Sequence, residues 1–148
     1  MPGVTIVIVV FNTLTVTQGC LTSVLNARGT RSFEVLVVDN GSDPEVLAWL
    51  RTVATAEPAV GYIRLPHNVG FARGVNIAAR LARGTHLVLL NSDTVVTDGW
   101  LDRLADALDS NPTYGLITPV TNYVGEGIQI DPDAENLPLA DVASYARR

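Results

Sequence analysis

The sequence has no lysine; all ten basic residues are arginine. That removes the lysine a P-loop sets against nucleotide phosphates, a Schiff-base lysine, and the lysine of a phospho-receiver domain. Cys20 is the single cysteine and falls in an apolar helical pattern, which excludes disulfides and a cysteine-based zinc site. Long apolar runs are missing too: the longest, around Ile6 to Phe11, is far short of the ~20 residues that cross a bilayer. Met1-Pro2-Gly3 carries no basic n-region and leads straight into a strand-like run, unlike a secretory signal. These features place the chain in the cytoplasm, at the inner face of the membrane if a parent protein carries it there. Positive charge is scarce as well. A net charge of −5 and a pI near 4.8 argue against a nucleic-acid partner or an anionic-membrane surface.

What is present is core-forming sequence. The 148 residues are 47% hydrophobic and 17% charged, enough for one packed domain and too few for two. Val4-Thr5-Ile6-Val7-Ile8-Val9-Val10 is a β-branched run of the kind buried on both faces of a parallel sheet. Asn12 or Thr13 caps a helix with Leu14, Leu21, Val24 and Leu25 on its apolar face. Phe33 to Val38 repeats the strand signature and stops at Asp39-Asn40-Gly41-Ser42. A second helix starts from Ser42-Asp43-Pro44-Glu45, either as a capping box or with Asp43 as cap and Pro44 at the first helical position. Its apolar face is Val46, Leu47, Leu50, Val53 and Ala54.

Val60 to Leu65 reads as a third strand. After the turn Pro66-His67-Asn68-Val69-Gly70, a helix carries Phe71, Val75, Ala78, Ala79 and Ala82 at helical spacing, with Arg73, Arg80 and Arg83 on it and Gly84 as its cap. His86 to Leu90 is a fourth strand that shows no polar alternation and runs into Asn91-Ser92-Asp93-Thr94. Thr97 or Asp98 caps a helix with Leu101, Leu104 and Leu108 inward, stopped at Asn111-Pro112, and Gly115 to Val120 is a short fifth strand. Residues 1–120 are thus the expected core. Residues 121–148 read as a loop with a short helix from Leu139 to Arg147.

Four rounds of strand then helix predict an α/β fold: a doubly wound, mostly parallel sheet with helices on both faces. Such sheets bind ligands beyond the carboxyl ends of their strands. That rule selects Phe11-Asn12-Thr13, Asp39-Asn40, the Pro66 to Gly70 turn and Asn91-Ser92-Asp93. No Gly-x-Gly-x-x-Gly follows the first strand, so a dinucleotide phosphate loop is absent where a dehydrogenase needs one. Asp39 can accept hydrogen bonds from a ribose or base, or simply organise a turn. Asp93, a lone carboxylate past a strand end, suits Mg²⁺ or Mn²⁺ filled out by phosphate oxygens and water, though a strand-end Asp also organises turns.

Four segments in order then resemble the inverting, nucleotide-sugar-dependent glycosyltransferases of family 2, with the glycosyltransferase-A fold: residues 4–12, 34–42, 68–76 and 89–94. The resemblance implies that Phe11, Asn12 and Thr13 line the nucleotide, and that Asp39 with Asn40 contacts the base or ribose. It implies that Asn68, Gly70, Arg73 and Asn76 border the diphosphate and sugar, and that Asn91, Ser92 and Asp93 stand for the metal-binding Asp-x-Asp motif. Asn91 replaces the first acid there, leaving Asp93 as the one charged metal ligand. Arg73 has an equally good reading as an exposed helix residue. The implied partners are a nucleoside diphosphate sugar and a saccharide or other hydroxyl acceptor, in cell-surface polysaccharide synthesis.

In this family the general base lies in a later acidic motif on the acceptor side. The catalytic base is therefore expected beyond Arg148, and Asp131, Asp133 and Glu135 read as a solvated loop. His67 and His86 read as loop and strand-edge residues, and Trp49 and Trp100 as packing residues. Two rivals remain. A non-catalytic binding or scaffold module of the same fold would lack the downstream acids. A nucleotidyltransferase would need a Gly-rich basic signature after the first strand, which Phe11-Asn12-Thr13-Leu14 does not supply.

Overall fold

The computed structural model describes residues 1–119 together with 133, 137, 138, 141, 144 and 145. The chain divides into two compact units, Met1–Leu25 with Arg31–Val95, and Asn26–Thr30 with Val96–Arg148. No helix among the described residues is long and apolar enough to cross a membrane.

The first unit alternates strand and helix: β1 Val4–Val10, α1 Leu14–Asn26, β2 Phe33–Asp39, α2 Pro44–Ala56, β3 Val60–Arg64, α3 Phe71–Ala79 and β4 His86–Asn91. All strand pairs are parallel, in the order β3-β2-β1-β4. This is the α/β sheet the strand-helix alternation predicts. β1 is bonded on both edges, and every residue in it but Val9 is buried, which is why it tolerates no polar alternation.

Register sorts the side chains by face. Ile6 lies opposite Val35 and Val88, and Val7 opposite Leu36 and Leu89. On the Val7 face, Val7, Val38, Leu65 and Ala78 of α3 form a buried cluster with Val9, Leu36 and Ile77 around it. Gly74 lets α3 come close: a Cβ there would stand 3.2 Å from Val9 Cγ1. α1 and α2 connect strands in the opposite direction along the sheet, so right-handed crossovers put them on the Ile6 face.

In α1 the buried side chains are Thr17, Cys20, Leu21 and Val24, with Leu14 and Leu25 only partly covered. α2 starts with Asp43 as cap and Pro44 at its first position, so the capping-box alternative does not form. Ser42 is engaged elsewhere, as described below.

β4 departs from expectation. It is the sheet's edge, its burial alternates, and Leu87 and Leu89 are 44% and 53% exposed. The run of leucines therefore marks a strand covered on one face, not two.

α3 also ends earlier than its periodicity predicts. It stops at Ala79, with Arg80 at the C-cap and Arg83 off the helix. The cause lies in a buried polar network at the amino ends of the strands. Thr5 Oγ1 donates to Glu34 Oε1 (2.8 Å), and Glu34 also accepts the Arg83 backbone N–H (2.9 Å) and its guanidinium. Gly84 N–H donates to Thr5 Oγ1 (2.9 Å), and a Cβ on Gly84 would fall 2.4 Å from the Thr5 nitrogen. Only glycine permits that approach, and Arg83 finds a better acceptor in Glu34 than in another helical turn.

In the second unit, α4 runs from Trp100 to Asp109. Its N-cap is Gly99 (φ 73), not Thr97 or Asp98. The Asp98 carboxylate is instead bound by the Arg28 N–H (2.9 Å), while Asp102 Oδ2 accepts Thr30 N–H (2.8 Å). Leu101 and Ala105 are buried, and Leu104 and Leu108 half-buried. The fifth strand expected at Gly115 to Val120 does not form over residues 115–119; Val120 lies outside the described residues. Gly115 and Pro119 flank only three other residues in that stretch, and Leu116 is 86% exposed. Of the helix expected from Leu139 to Arg147, Asp141, Ser144 and Tyr145 are helical, and the rest lies outside the described residues, as do Asp131 and Glu135.

The Glu34 network gives a pH signature. Burial raises the carboxyl pKa, but hydrogen bonds from Arg83 and Thr5 outweigh it and hold the group below its ordinary 4.5. A carboxyl with a depressed folded pKa contributes stability above its unfolded pKa and loses it as pH falls through the folded value. Glu34→Gln should therefore be less stable than wild type at pH 7, and the two should converge below about pH 4.5. Urea midpoints measured from pH 7 to 3 check this; a gap that stays constant with pH contradicts it.

Candidate active site at the carboxyl ends of the strands

The strand order creates one natural crevice. The chain builds β2 and then β3 on one side of β1, and returns to place β4 on the other. The winding thus reverses between β1 and β4, the kind of position at which open α/β sheets bind ligands.

At the end of β1, Phe11 is 45% exposed and Asn12 takes a left-handed backbone (φ 54). Asparagine tolerates that conformation, and here both its polar ends are engaged. Its N–H donates to Ser42 Oγ (3.1 Å), and its Oδ1 accepts the Asp43 N–H (2.7 Å). Of the two expected caps of α1, Asn12 and Thr13, Asn12 instead bridges β1 to the start of α2. Thr13 immediately precedes α1, its carbonyl accepting Thr17 N–H (3.0 Å).

Two adjacent residues close β2. Asp39 has no exposed surface; its Oδ1 accepts Ser42 N–H (2.9 Å) and its Oδ2 binds Arg64 Nη1 (2.5 Å). Asn40, equally buried, accepts Val69 N–H on Oδ1 (2.9 Å) and donates from Nδ2 to Asn68 Oδ1 (2.9 Å) and the Gly70 carbonyl. Its amide staples the 66–70 turn to the sheet. Asn68 Oδ1 also takes the Gly70 N–H (2.8 Å). Gly41 (φ +84) allows the close pass: a Cβ there would lie 2.6 Å from the His67 carbonyl carbon. Gly70, at φ 86, is the N-cap of α3, whose exposed Arg73 and Asn76 follow within two turns.

Asn91-Ser92-Asp93-Thr94 forms a turn closed by Thr94 N–H to the Asn91 carbonyl (3.2 Å), and Asp93 is exposed on it. Beneath lies Cys20, whose thiol donates to the same carbonyl (3.4 Å). Among the described residues no group of three or more His, Cys, Asp or Glu could hold a metal ion. Those residues therefore do not build an all-protein metal cage.

The structure thus gathers Asn40, Asn68 and Gly70 into one hydrogen-bonded cluster and puts Asn91, Ser92 and Asp93 in one turn, while Phe11, Arg73 and Asn76 stand exposed. His67 is exposed on its loop, His86 begins β4, and Trp49 and Trp100 are half-buried. Three participants were not anticipated as such: Arg64, Ser42 and Cys20. Arg64 could have been found by noting that β2 and β3 end in register, Asp39 opposite Arg64. Nothing in the one-dimensional pattern marks Cys20.

Comparison with known proteins gives the family and the fold. The glycosyl transferase family 2 model matches residues 5–140, and the chain belongs to that family. It is 28% identical over 130 residues (86% of the chain) to the uncharacterized protein y4gI of Sinorhizobium fredii. It is 41% identical over 61 residues (41% of the chain) to the uncharacterized glycosyltransferase YfnE of Bacillus subtilis. These alignments span 14% and 15% of those relatives, so the chain corresponds to a small part of each. Among solved structures, the mannosyltransferase PcManGT of Pyrobaculum calidifontis, in complex with GDP-Man and Mn²⁺, superposes with a TM-score of 0.70 at 24% identity, covering 77% of this chain and 34% of that one. TarS 1–349 of S. aureus with UDP-GlcNAc gives 0.72 at 20% identity, covering 84% and 36%. The shared fold is that of the nucleotide-diphospho-sugar transferases, as the four motifs implied.

Cys20 yields a direct check on the turn it supports. Burial, reinforced by the nearby Asp93 charge and only partly offset by the Thr94 N–H, pushes its thiol pKa to about 11. At pH 8 the folded protein should resist iodoacetamide for hours and react fully in urea. Rapid labelling without denaturant would contradict the buried placement.

Proposed function

We propose that this chain is the donor-binding part of a glycosyltransferase, transferring a sugar from a nucleoside diphosphate to an acceptor hydroxyl with inversion, assisted by Mg²⁺ or Mn²⁺. The observation that carries the reading is the exposed Asp93 turn at the switch between β1 and β4. Family membership and the nucleotide sugars and Mn²⁺ named in the complexes of structural neighbours support it.

On this reading residues 1–120 hold the donor and residues 121–148 lead toward an acceptor-binding half. Phe11, Asn12 and Thr13 line the nucleotide, with Asp39 and Asn40 at its base and ribose end. Asn40 serves indirectly, by fixing the turn from which Asn68, Gly70, Arg73 and Asn76 face the diphosphate and sugar. Arg73 is the cation nearest the start of α3, where backbone N–H groups also favour an anion. Asp93 would hold the ion, with Asn91 and Ser92 beside it. When bound, the ion offsets charge growing on the departing diphosphate. The parent protein would work at the cytoplasmic face of the membrane, in cell-surface polysaccharide synthesis.

Melting temperature measured with a panel of nucleoside diphosphates, with and without Mn²⁺, tests the reading. A ligand at a hundredfold over its Kd adds ~2.7 kcal/mol of stability. A shift should require the metal and vanish in Asp93→Ala. If no nucleotide shifts wild type, or the variant responds equally, the donor-site reading is wrong.

A further inference from the structure

We propose that this chain pairs with a second copy of itself through the outer edge of β4, the two β4 strands meeting antiparallel about Val88, with Leu87 of each opposite Leu89 of the other. This surface is independent of the donor-site reading.

The register fixes which groups face outward. The His86 N–H donates to the Gly3 carbonyl just before β1 (3.2 Å), so the peptide groups of His86, Val88 and Leu90 turn toward β1. Strand alternation then turns the N–H and C=O of Leu87 and Leu89 away from it. Among the described residues no strand pairs with that edge. The side chains of the same two leucines share the Val7 face, since Leu87 lies opposite Thr5 and Leu89 opposite Val7. α3 packs on that face over β1 and β2, yet the leucines stay 44% and 53% exposed.

The sheet's two edges differ. β3, at the opposite edge, follows Pro58, contains Gly61 and ends on Arg64, features that discourage strand addition. β4 reads His-Leu-Val-Leu-Leu-Asn, without Pro, Gly, Asp, Glu, Lys or Arg. An edge this apolar and uncharged is a template for another strand.

The strand that fits it is its own. Antiparallel pairing about Val88 puts Leu87 and Leu89 in hydrogen-bonded positions, where each couple exchanges N–H···O=C bonds in both directions. The same two-fold sets the leucines of both copies side by side on one face, covering apolar surface that α3 leaves open and bringing no like charges together. A head-to-tail addition would close one edge and expose another. Because the paired strands run in opposite directions, the carboxyl ends of the two sheets point apart, and each candidate site stays clear of the other copy. The contact is small, short of the roughly 1,000 Å² that a stable interface clears, which corresponds to a Kd on the order of 100 µM.

Sedimentation equilibrium of the whole 148-residue chain, from about 10 µM to about 1 mM, tests this. The weight-average mass should climb from the 15.8 kDa monomer toward twice that value. Hydrogen exchange over the same range should show the Leu87 and Leu89 amides gaining protection, while the Val88 amide, bonded to β1, is protected throughout. Leu87→Lys with Leu89→Lys, both at exposed positions, should weaken association at least about tenfold by setting like charges opposite each other. Mixing that variant with Leu87→Glu, Leu89→Glu should restore the pair, a rescue that misfolded chains cannot give. A monomer at the highest concentration, a dimer undisturbed by the lysines, or no recovery in the mixture overturns the inference. So does protection of the Leu87 and Leu89 amides at every concentration, which would mean that the edge is covered within one chain.

Discussion

The constraint on which the site depends is that β1 is shared. It is hydrogen-bonded to β2 on one edge and β4 on the other, and all but one of its residues are buried. A strand so placed is β-branched throughout, and its one polar residue, Thr5, is buried and fully engaged at the amino end, so nothing in it reaches solvent as a polar group until it ends. Chemistry is thereby pushed to Phe11 and Asn12, and β4 delivers the Asp93 turn beside them. The crevice follows from the order in which the chain winds around one strand, before any side chain in it is considered.

The two ends of the sheet use polar residues differently. At the amino ends, Thr5, Glu34, Arg83 and Gly84 form a closed network that fixes where α3 stops and β4 begins. At the carboxyl ends, Ser42, Asp39 and Asn40 are equally buried and satisfied, but what they hold are exposed groups: Arg64, the 66–70 turn and the start of α3. A buried amide such as Asn40 is costly unless all its groups are paired. Here each is paired, and the result is a loop fixed in position rather than a ligand contact. No buried side-chain nitrogen or oxygen among the described residues lacks a partner.

Much of the fold was legible in the sequence, because β-branched runs and helical spacing report burial, and burial built the sheet. The ends of elements were less so. α3 stops short because Arg83 prefers Glu34, an acid 49 residues earlier in the chain, and no local window contains both. The expected fifth strand does not form over residues 115–119, where only two apolar residues stand between Gly115 and Pro119. The leucines of β4 show no polar alternation in sequence, yet the strand lies at an edge and its burial alternates. Position in the sheet located the strand-end turns that carry Asp39 and Asp93, since strand ends are visible one-dimensionally. Arg64 and Cys20 escaped because their partners are set by register and by helix packing.

On the proposed donor-site reading, an ion bound with a nucleoside diphosphate sits at the Asp93 turn, across the end of β1. Paramagnetic broadening measures this directly: amide spectra of the ¹⁵N-labelled chain recorded with UDP and substoichiometric Mn²⁺, against Mg²⁺ as the diamagnetic reference. The amides of Ser92, Asp93, Thr94, Asn12 and Thr13 should vanish first, while those of Thr5, Glu34 and Gly84 at the far end of the same strands stay sharp. Broadening centred anywhere else, or none at all, would contradict it.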